Sequence, residues 1–317
     1  MTKNTTFLKD VNDGLSQKVK HISSKYFYDK KGDQLFQQIM EMPEYYLTNC
    51  EMEIFKEQSE AIISAFNINE NQEFELIELG AGDGKKTQYL LEKLLEKHLK
   101  FKYIPVDISQ NSLDVISTRL KKIFPNLHIE AMQGEYFQVL EALFQSKNPK
   151  IILFIGSNLG NLNDEVAHDF LHKLSDNLKW GEKLLLGLDL IKSKNIVLPA
   201  YNDSAGITKA FNINLLERIN HEFGADFNLE KFDHFPYYEE EEGIAKSFLK
   251  SKIKQSVFIK ALNKSFEFAE GELITTEVSR KYNDKILNKI LENSNMEIQE
   301  KFLDSENYFA DYILTKK

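Results

Sequence analysis

The spacing of apolar residues changes along the chain, and each spacing predicts a different kind of element. Between residues 8 and 65 it is helical: in GDQLFQQIMEM, Leu35, Phe36 and Ile39 fall on one face. Pro43 interrupts the pattern, and EYYLTNCEMEIFKEQSEAIISAF resumes it as a second helix. Thr48 is the expected N-cap, with Glu51 completing a capping box. From 75 to 190, short continuous apolar runs alternate with helical segments. Strands are predicted over 75–79, 102–107, 127–132, 150–155 and 182–189, and helices over 85–98, 109–123, 134–145 and 163–177. Such alternation defines an α/β chain with a parallel sheet and helices on both faces. Continuous apolar runs fit strands covered on both sides.

Near residue 190 the alternation stops. A helix is predicted in GITKAFNINLLERINHEF, followed by an aromatic-rich loop, FDHFPYY. Period-two alternation in SVFIKAL and SFEFAEGE predicts antiparallel strands. A helix is expected over 282–293, and EIQEKFLDSENYFADYILTK reads as a closing hairpin with its turn at Asp304–Asn307. The expected organisation is therefore N-terminal helices over 1–60, a nucleoside-binding core over 61–192 and 281–317, and an insertion over 193–280 that caps the site together with those helices.

Bulk numbers narrow the class. The chain has 317 residues, 42% apolar and 28% charged, as in ordinary soluble proteins. A net charge of −9 without a basic block argues against nucleic acid or an anionic membrane as a partner. No apolar run is long enough to span a bilayer, and the polar start MTKNTTFLKDVNDGL lacks a secretory core. Cys50 is the single cysteine, which precludes an intrachain disulfide and suits a cytoplasmic setting. A monomer is expected. His168 and His172 lie four apart on a predicted helix, but no third ligand stands near, so no metal is expected.

Chemistry concentrates where parallel strands end. The first strand runs into GAGDGKK, in which Gly80 and Gly82 permit close backbone approach to a ligand; Glu78, on the strand itself, faces the same region. The loop lacks the GxxxxGK[ST] cradle, and Lys85 stands where a dinucleotide fingerprint has its third glycine. A nucleoside without phosphates, S-adenosylmethionine, fits better. Asp107 ends the second strand, where a carboxylate can accept both ribose hydroxyls, and Ser109 is free to cap the next helix. Glu135 and Tyr136 follow the third strand, where an acid and an aromatic read either as a holder of adenine or as first-turn helix residues. After the fourth strand, FIGSNLGNLN brackets Ser157 and Asn158 between Gly156 and Gly160, and Asn161 follows. Asn161 reads either as a group that orients an amine or as a turn or helix cap.

Several segments in order, YFYDKKGDQLFQQIMEMPEYYLTNCE, ELGAGDGKKT, YIPVDIS, FIGSNLGNL, LGLDLIKS, AYNDSAGITKAFNINLLERINHEFGADFN and FAEGELITTEVSRKY, resemble the histidine-specific, S-adenosylmethionine-dependent N-methyltransferases of ergothioneine biosynthesis. The resemblance runs from about residue 20 to the end. It implies a class I methyltransferase core with an inserted α+β substrate domain, completed by the N-terminal helices. It places the donor against Tyr28, Gly80, Lys86, Asp107, Glu135 and Tyr136. The amino acid is placed against Tyr45, Asn161, Tyr201, Thr208, Glu277 and Ser279, with Tyr28 and Asn161 assisting proton loss. In an extended ExS, Glu277 and Ser279 share a face and can engage the two imidazole nitrogens. The implied reaction is methylation of the α-amino group of L-histidine, to the trimethyl betaine. Alternatives are a related amino acid, such as a thiohistidine at a ring nitrogen or tryptophan, and a non-catalytic nucleoside-binding relative.

Overall fold

The computed structural model describes residues 3–317. The chain divides into two units, one made of the segment up to Tyr46 with Lys192–Lys281, the other of Leu47–Ile191 with Tyr282–Lys317.

The second of these is built on a seven-stranded sheet. Its parallel strands are β1 (Phe74–Leu79), β2 (Phe101–Asp107), β3 (Met132–Gln133), β4 (Lys150–Phe154) and β5 (Lys183–Asp189). Every residue of β1, β4 and β5 is buried, and their runs are mainly apolar, interrupted in β1 by Glu75 and Glu78. Helices α4 (Thr87–Glu96), α5 (Gln110–Ile123), α6 (Tyr136–Leu143) and α7 (Asp164–Asn177) connect them. The sheet ends in an antiparallel hairpin, β11 (Met296–Leu303) and β12 (Phe309–Lys316), which follows α10 (Asp284–Ile290). Across the sheet the order is β11-β12-β5-β4-β1-β2-β3, so the direction of winding reverses between β1 and β4. Ligands of open parallel sheets bind at such a reversal. The expected third strand over 127–132 shrinks to Met132–Gln133, with an isolated bridge from Tyr103 to Ile129. It lies at the sheet edge, where only one neighbour supplies hydrogen bonds and the ladder can break.

Helix α3 (Tyr46–Ala65) packs with this sheet, so the expected boundary at residue 60 falls inside an element of the sheet unit. Gln58 donates to the Leu303 carbonyl and Gln299 to that of Ala65. Thr48 is not the N-cap, because the helix already starts at Tyr46. Glu51 is not part of a capping box either. It is wholly buried; Oε2 pairs with the Lys86 ammonium and Oε1 accepts from the Gly156 amide at 2.7 Å. Asp311 of β12 is also wholly buried beside it. Burial and the neighbouring Glu51 charge hold the Asp311 carboxyl well above the usual carboxylate range. A Cβ on Gly187 of β5 would lie 2.3 Å from Glu51 Oε1 and 2.9 Å from Asp311 Oδ1, so the cluster fits only because that residue has no side chain.

The other unit carries α1 (Lys3–Leu15), α2 (Lys30–Glu41), α8 (Lys194–Ala200) and α9 (Ile207–Phe223), with two antiparallel sheets. The larger orders β10 (Leu273–Arg280), β7 (Ile244–Ser251) and β6 (Phe232–Glu239); the smaller pairs β8 (Gln255–Ile259) with β9 (Lys264–Phe268). Its core joins Phe7 and Val11 of α1 to Phe211, Leu215 and Ile219 of α9 and Leu249 of β7. FDHFPYY is not a loop but most of β6. The strand lies at the sheet edge, where Pro236 costs no interior hydrogen bond. The central β7 escapes the period-two signal because its buried positions are Ala245, Ser247, Leu249 and Ser251.

Gly187→Ala is expected to destabilise the protein by about 2 kcal/mol, because the added methyl meets a pinned carboxylate and the Ile155 backbone, 3.1 Å away. Urea unfolding of both proteins checks this; a loss below about 0.5 kcal/mol contradicts the packing described.

Candidate active site

The glycine loop after β1 is tied to the end of β2. The amides of Gly80 and Ala81 both donate to the Val106 carbonyl, at 2.8 and 3.2 Å. Asp107 then binds the loop from the other side: Oδ2 accepts from the Gly82 amide at 3.2 Å and Oδ1 from the Ser109 amide at 2.9 Å. Ser109 caps α5, which leaves Asp107 out of that role. Burial raises the Asp107 carboxyl, with the three backbone amides of Ser109, Gly82 and Ile108 working against it. Gly80 has φ +73°, and a Cβ there would sit 2.8 Å from the Tyr136 hydroxyl and 3.0 Å from the Asn158 amide nitrogen. Gly80, Asp107, Tyr136 and Asn158 therefore converge at the strand ends. Tyr136 packs edge-on against Phe154, and burial pushes its phenol up. Neighbouring Glu135 is exposed and makes no side-chain bond to the helix it precedes.

Glu78 does not face that region. Its carboxyl is buried beneath the loop, accepting from Thr87 Oγ1 at 2.7 Å and from the Tyr103 hydroxyl. Desolvation is the larger influence and pushes it up to about 7 despite those bonds. Lys86 is half-buried and bound to Glu51.

After β4 the chain turns through Gly156 (φ +75°) and Ser157 (φ +57°). Ser157 Oγ accepts from the Asp189 amide at 3.0 Å, and Asn158 Nδ2 donates to the Ile155 carbonyl at 2.8 Å. Asn161 ends a short 3-10 turn and is exposed. It is not the helix cap, because Asn163 accepts from the Val166 amide and caps α7. His168 and His172 stack on that helix, and His172 is bonded to the Glu292 carbonyl. Among the described residues no group of three or more His, Cys, Asp or Glu is arranged to hold a metal. Nor is any described helix long and apolar enough to cross a membrane.

In the other unit, a bulge in β10 between Thr275 and Glu277 shifts its register against β7. Bulges of this kind re-aim side chains beside sites. Glu277 lies opposite Ser247, whose hydroxyl donates to Oε2 at 2.9 Å. Burial raises the Glu277 carboxyl, and the Ser247 bond and the Lys281 charge oppose that shift. Ser279 and Tyr201 are buried, and both hydroxyls accept from the Lys281 ammonium, at 3.0 and 2.8 Å. Thr208 is buried in the first turn of α9, its amide bonded to Asp203 at 2.8 Å. Tyr28 meets Phe36 and Phe211 edge-on. Tyr45 packs beside Val197, Tyr201 and Tyr238.

Two separate constellations result. Gly80, Lys86, Asp107, Tyr136 and Asn161 belong to the sheet unit, whereas Tyr28, Tyr45, Tyr201, Thr208, Glu277 and Ser279 belong to the other. Sequence reasoning missed Glu51, Asp311, Ser247 and Lys281. Only Lys281 had a local signal, lying two residues beyond Ser279 in an extended segment.

A parallel sheet closed by an antiparallel hairpin, with a glycine loop tied to a carboxylate at the reversal point, defines a class I methyltransferase fold. The chain belongs to the family described as histidine-specific, S-adenosylmethionine-dependent methyltransferases, whose profile matches residues 7–316. It is 35% identical to histidine N-alpha-methyltransferase of Mycolicibacterium smegmatis, over 86% of this chain and 84% of that one. The enzyme of the same name from Mycobacterium tuberculosis is 33% identical over the same shares. Ergothioneine biosynthesis protein 1 of Schizosaccharomyces pombe is 27% identical over 93% of this chain and 39% of that protein.

The buried Glu78 carboxyl makes a testable contribution to stability. It keeps its proton to about pH 7 when folded, against an unfolded value of 4.5, so folding takes up a proton between these limits. Its contribution is most favourable below pH 4.5 and is lost as pH rises through 7. The stability difference between wild type and Glu78→Gln should therefore fall by about 2 kcal/mol from about pH 5.5 to 8.5. Urea unfolding at both pH values measures it; a constant difference contradicts the assignment.

Proposed function

We infer that this protein methylates the α-amino group of L-histidine with S-adenosylmethionine, to the trimethyl betaine, as a step of ergothioneine biosynthesis. One observation carries the reading: β10 presents a carboxylate and a hydroxyl, Glu277 and Ser279, at alternate positions beside the buried Tyr201. A neutral imidazole has one N–H and one lone-pair nitrogen, which such a pair complements. The names of the bacterial relatives and of the fission-yeast protein support the same substrate and pathway.

The donor is assigned to the glycine loop. Gly80, without a side chain, lets the loop backbone approach Tyr136 closely, and each Asp107 oxygen retains a lone pair for a ribose hydroxyl. Lys86 is the assigned partner of the donor's carboxylate, and Tyr136 packs on the adenine. Glu135, exposed, is assigned to the adenine edge. Tyr45, Tyr201 and Thr208 are assigned to the amino acid's main-chain groups, and Asn161 and Tyr28 to orienting the reacting amine.

Each transfer forms an N–C bond as the sulfonium's C–S bond breaks, releasing S-adenosylhomocysteine. The leaving group is already good, so alignment and prior loss of the ammonium proton control the rate. The proton passes to solvent, and assistance through water is assigned to Asn161 and Tyr28. The growing cationic head is stabilised by aromatic faces.

Incubating the purified protein with S-adenosylmethionine and the twenty amino acids, with mass spectrometry as readout, tests the reading. A gain of three methyl groups on histidine alone is the expected result. No gain on any imidazole amino acid overturns it.

A further inference from the structure

We propose that Lys281 sets the hydrogen-bond polarity of the substrate pocket, holding the Ser279 hydroxyl as a donor so that β10 selects a ring with one acceptor and one donor nitrogen. This rests on the reading of Glu277 and Ser279 as the imidazole site.

Lys281 directly follows β10, and its amide donates to the Gly243 carbonyl. In extended chain, residues 277, 279 and 281 alternate onto one face, so a carboxylate, a hydroxyl and an ammonium stand in a row. Full burial of a lysine is uncommon and requires polar partners. Its Nζ donates to Ser279 Oγ at 3.0 Å and to the Tyr201 hydroxyl at 2.8 Å, and it lies 5.1 Å from the Tyr201 ring centre.

An ammonium has three donors and no acceptor. A hydroxyl facing it accepts, and must turn its own proton elsewhere. The positive charge also polarises that O–H bond, which makes it a stronger donor. Glu277 supplies the opposite polarity, because an ionised carboxylate only accepts. The row therefore reads acceptor, then donor. Neutral imidazole satisfies both positions. Indole has only an N–H and leaves the Ser279 proton without a partner, and a thiophene ring satisfies neither. Lys281 touches no reacting atom in this account; it is a positioning residue that acts through Ser279.

The test is a double-mutant cycle on protein saturated with S-adenosylhomocysteine, with calorimetric titration of histidine and of β-(2-thienyl)alanine, which has no ring nitrogen. Lys281→Met and Ser279→Ala are each expected to weaken histidine about tenfold, the value of one oriented hydrogen bond. The double variant should lose no more than either single, because both remove the same bond. Thienylalanine affinity should change less than about threefold, which a general loss of structure could not produce. Should Lys281→Met fail to fold, Lys281→Gln, whose amide also accepts and so no longer forces the hydroxyl to donate elsewhere, goes through the same cycle with the same expectation. Multiplicative losses in the double variant, or thienylalanine falling in step with histidine, overturn the role of Lys281. A wild-type chain that binds no histidine overturns the substrate reading itself.

Discussion

The sheet unit depends on one buried carboxylate. Glu51 reaches from α3 to the ammonium of Lys86, just past the glycine loop, and to the amide of Gly156 in the loop after β4. Those two loops flank the reversal of the sheet, where a ligand would lie. A fully buried charge is tolerated only when paired and hydrogen-bonded, and Glu51 has both kinds of partner. Removing one member of such a pair leaves an uncompensated charge at a cost of about 3–5 kcal/mol. Asp311 adds a second acid to the cluster, which burial and the Glu51 charge keep protonated far above its ordinary range. Gly187 supplies the space. The helix, the two loops and the last strand are thus fixed by one electrostatic arrangement.

The other unit works by a different constraint. Its strands bury small and hydroxyl-bearing residues beside a few large apolar ones, so polar groups line one face of β10 without a continuous apolar run. The bulge before Glu277 changes the alternation at that point. Burial then raises the Glu277 carboxyl, and Ser247 and Lys281 offset part of that. The result is a graded row of acceptor, hydroxyl and cation, on which the proposed recognition of a ring by its pattern of protons rests.

Most of the α/β core was legible, because strands buried on both faces are mostly apolar and the helices between them follow the helical period. β1, β2, β4 and β5 begin and end within a residue of expectation. β3 was overextended because sheet-edge position is not encoded locally. β6 was read as a loop because Pro236 and its aromatics obscure an edge strand. β7 was missed because Ala245, Ser247 and Ser251 do not look like core residues. The partners of Glu51 lie 35 and 105 residues away, so a sequence pattern offered only the local capping-box explanation. Glu78 likewise looked like a ligand group until its bonds to Thr87 and Tyr103 placed it beneath the loop. The convergence of Gly80, Asp107 and Tyr136 was foreshadowed by their common place at strand ends, as the topology of open sheets dictates.

The central claim is a division of labour, with the donor on the sheet unit and the amino acid on β10. Equilibrium titration of S-adenosylhomocysteine and histidine into Asp107→Ala and Glu277→Ala tests it most directly. The account predicts that Asp107→Ala loses S-adenosylhomocysteine by about tenfold or more, and that Glu277→Ala loses histidine to the same degree. Each variant should hold the other ligand within about threefold. Loss of both ligands in equal measure by either variant would contradict it.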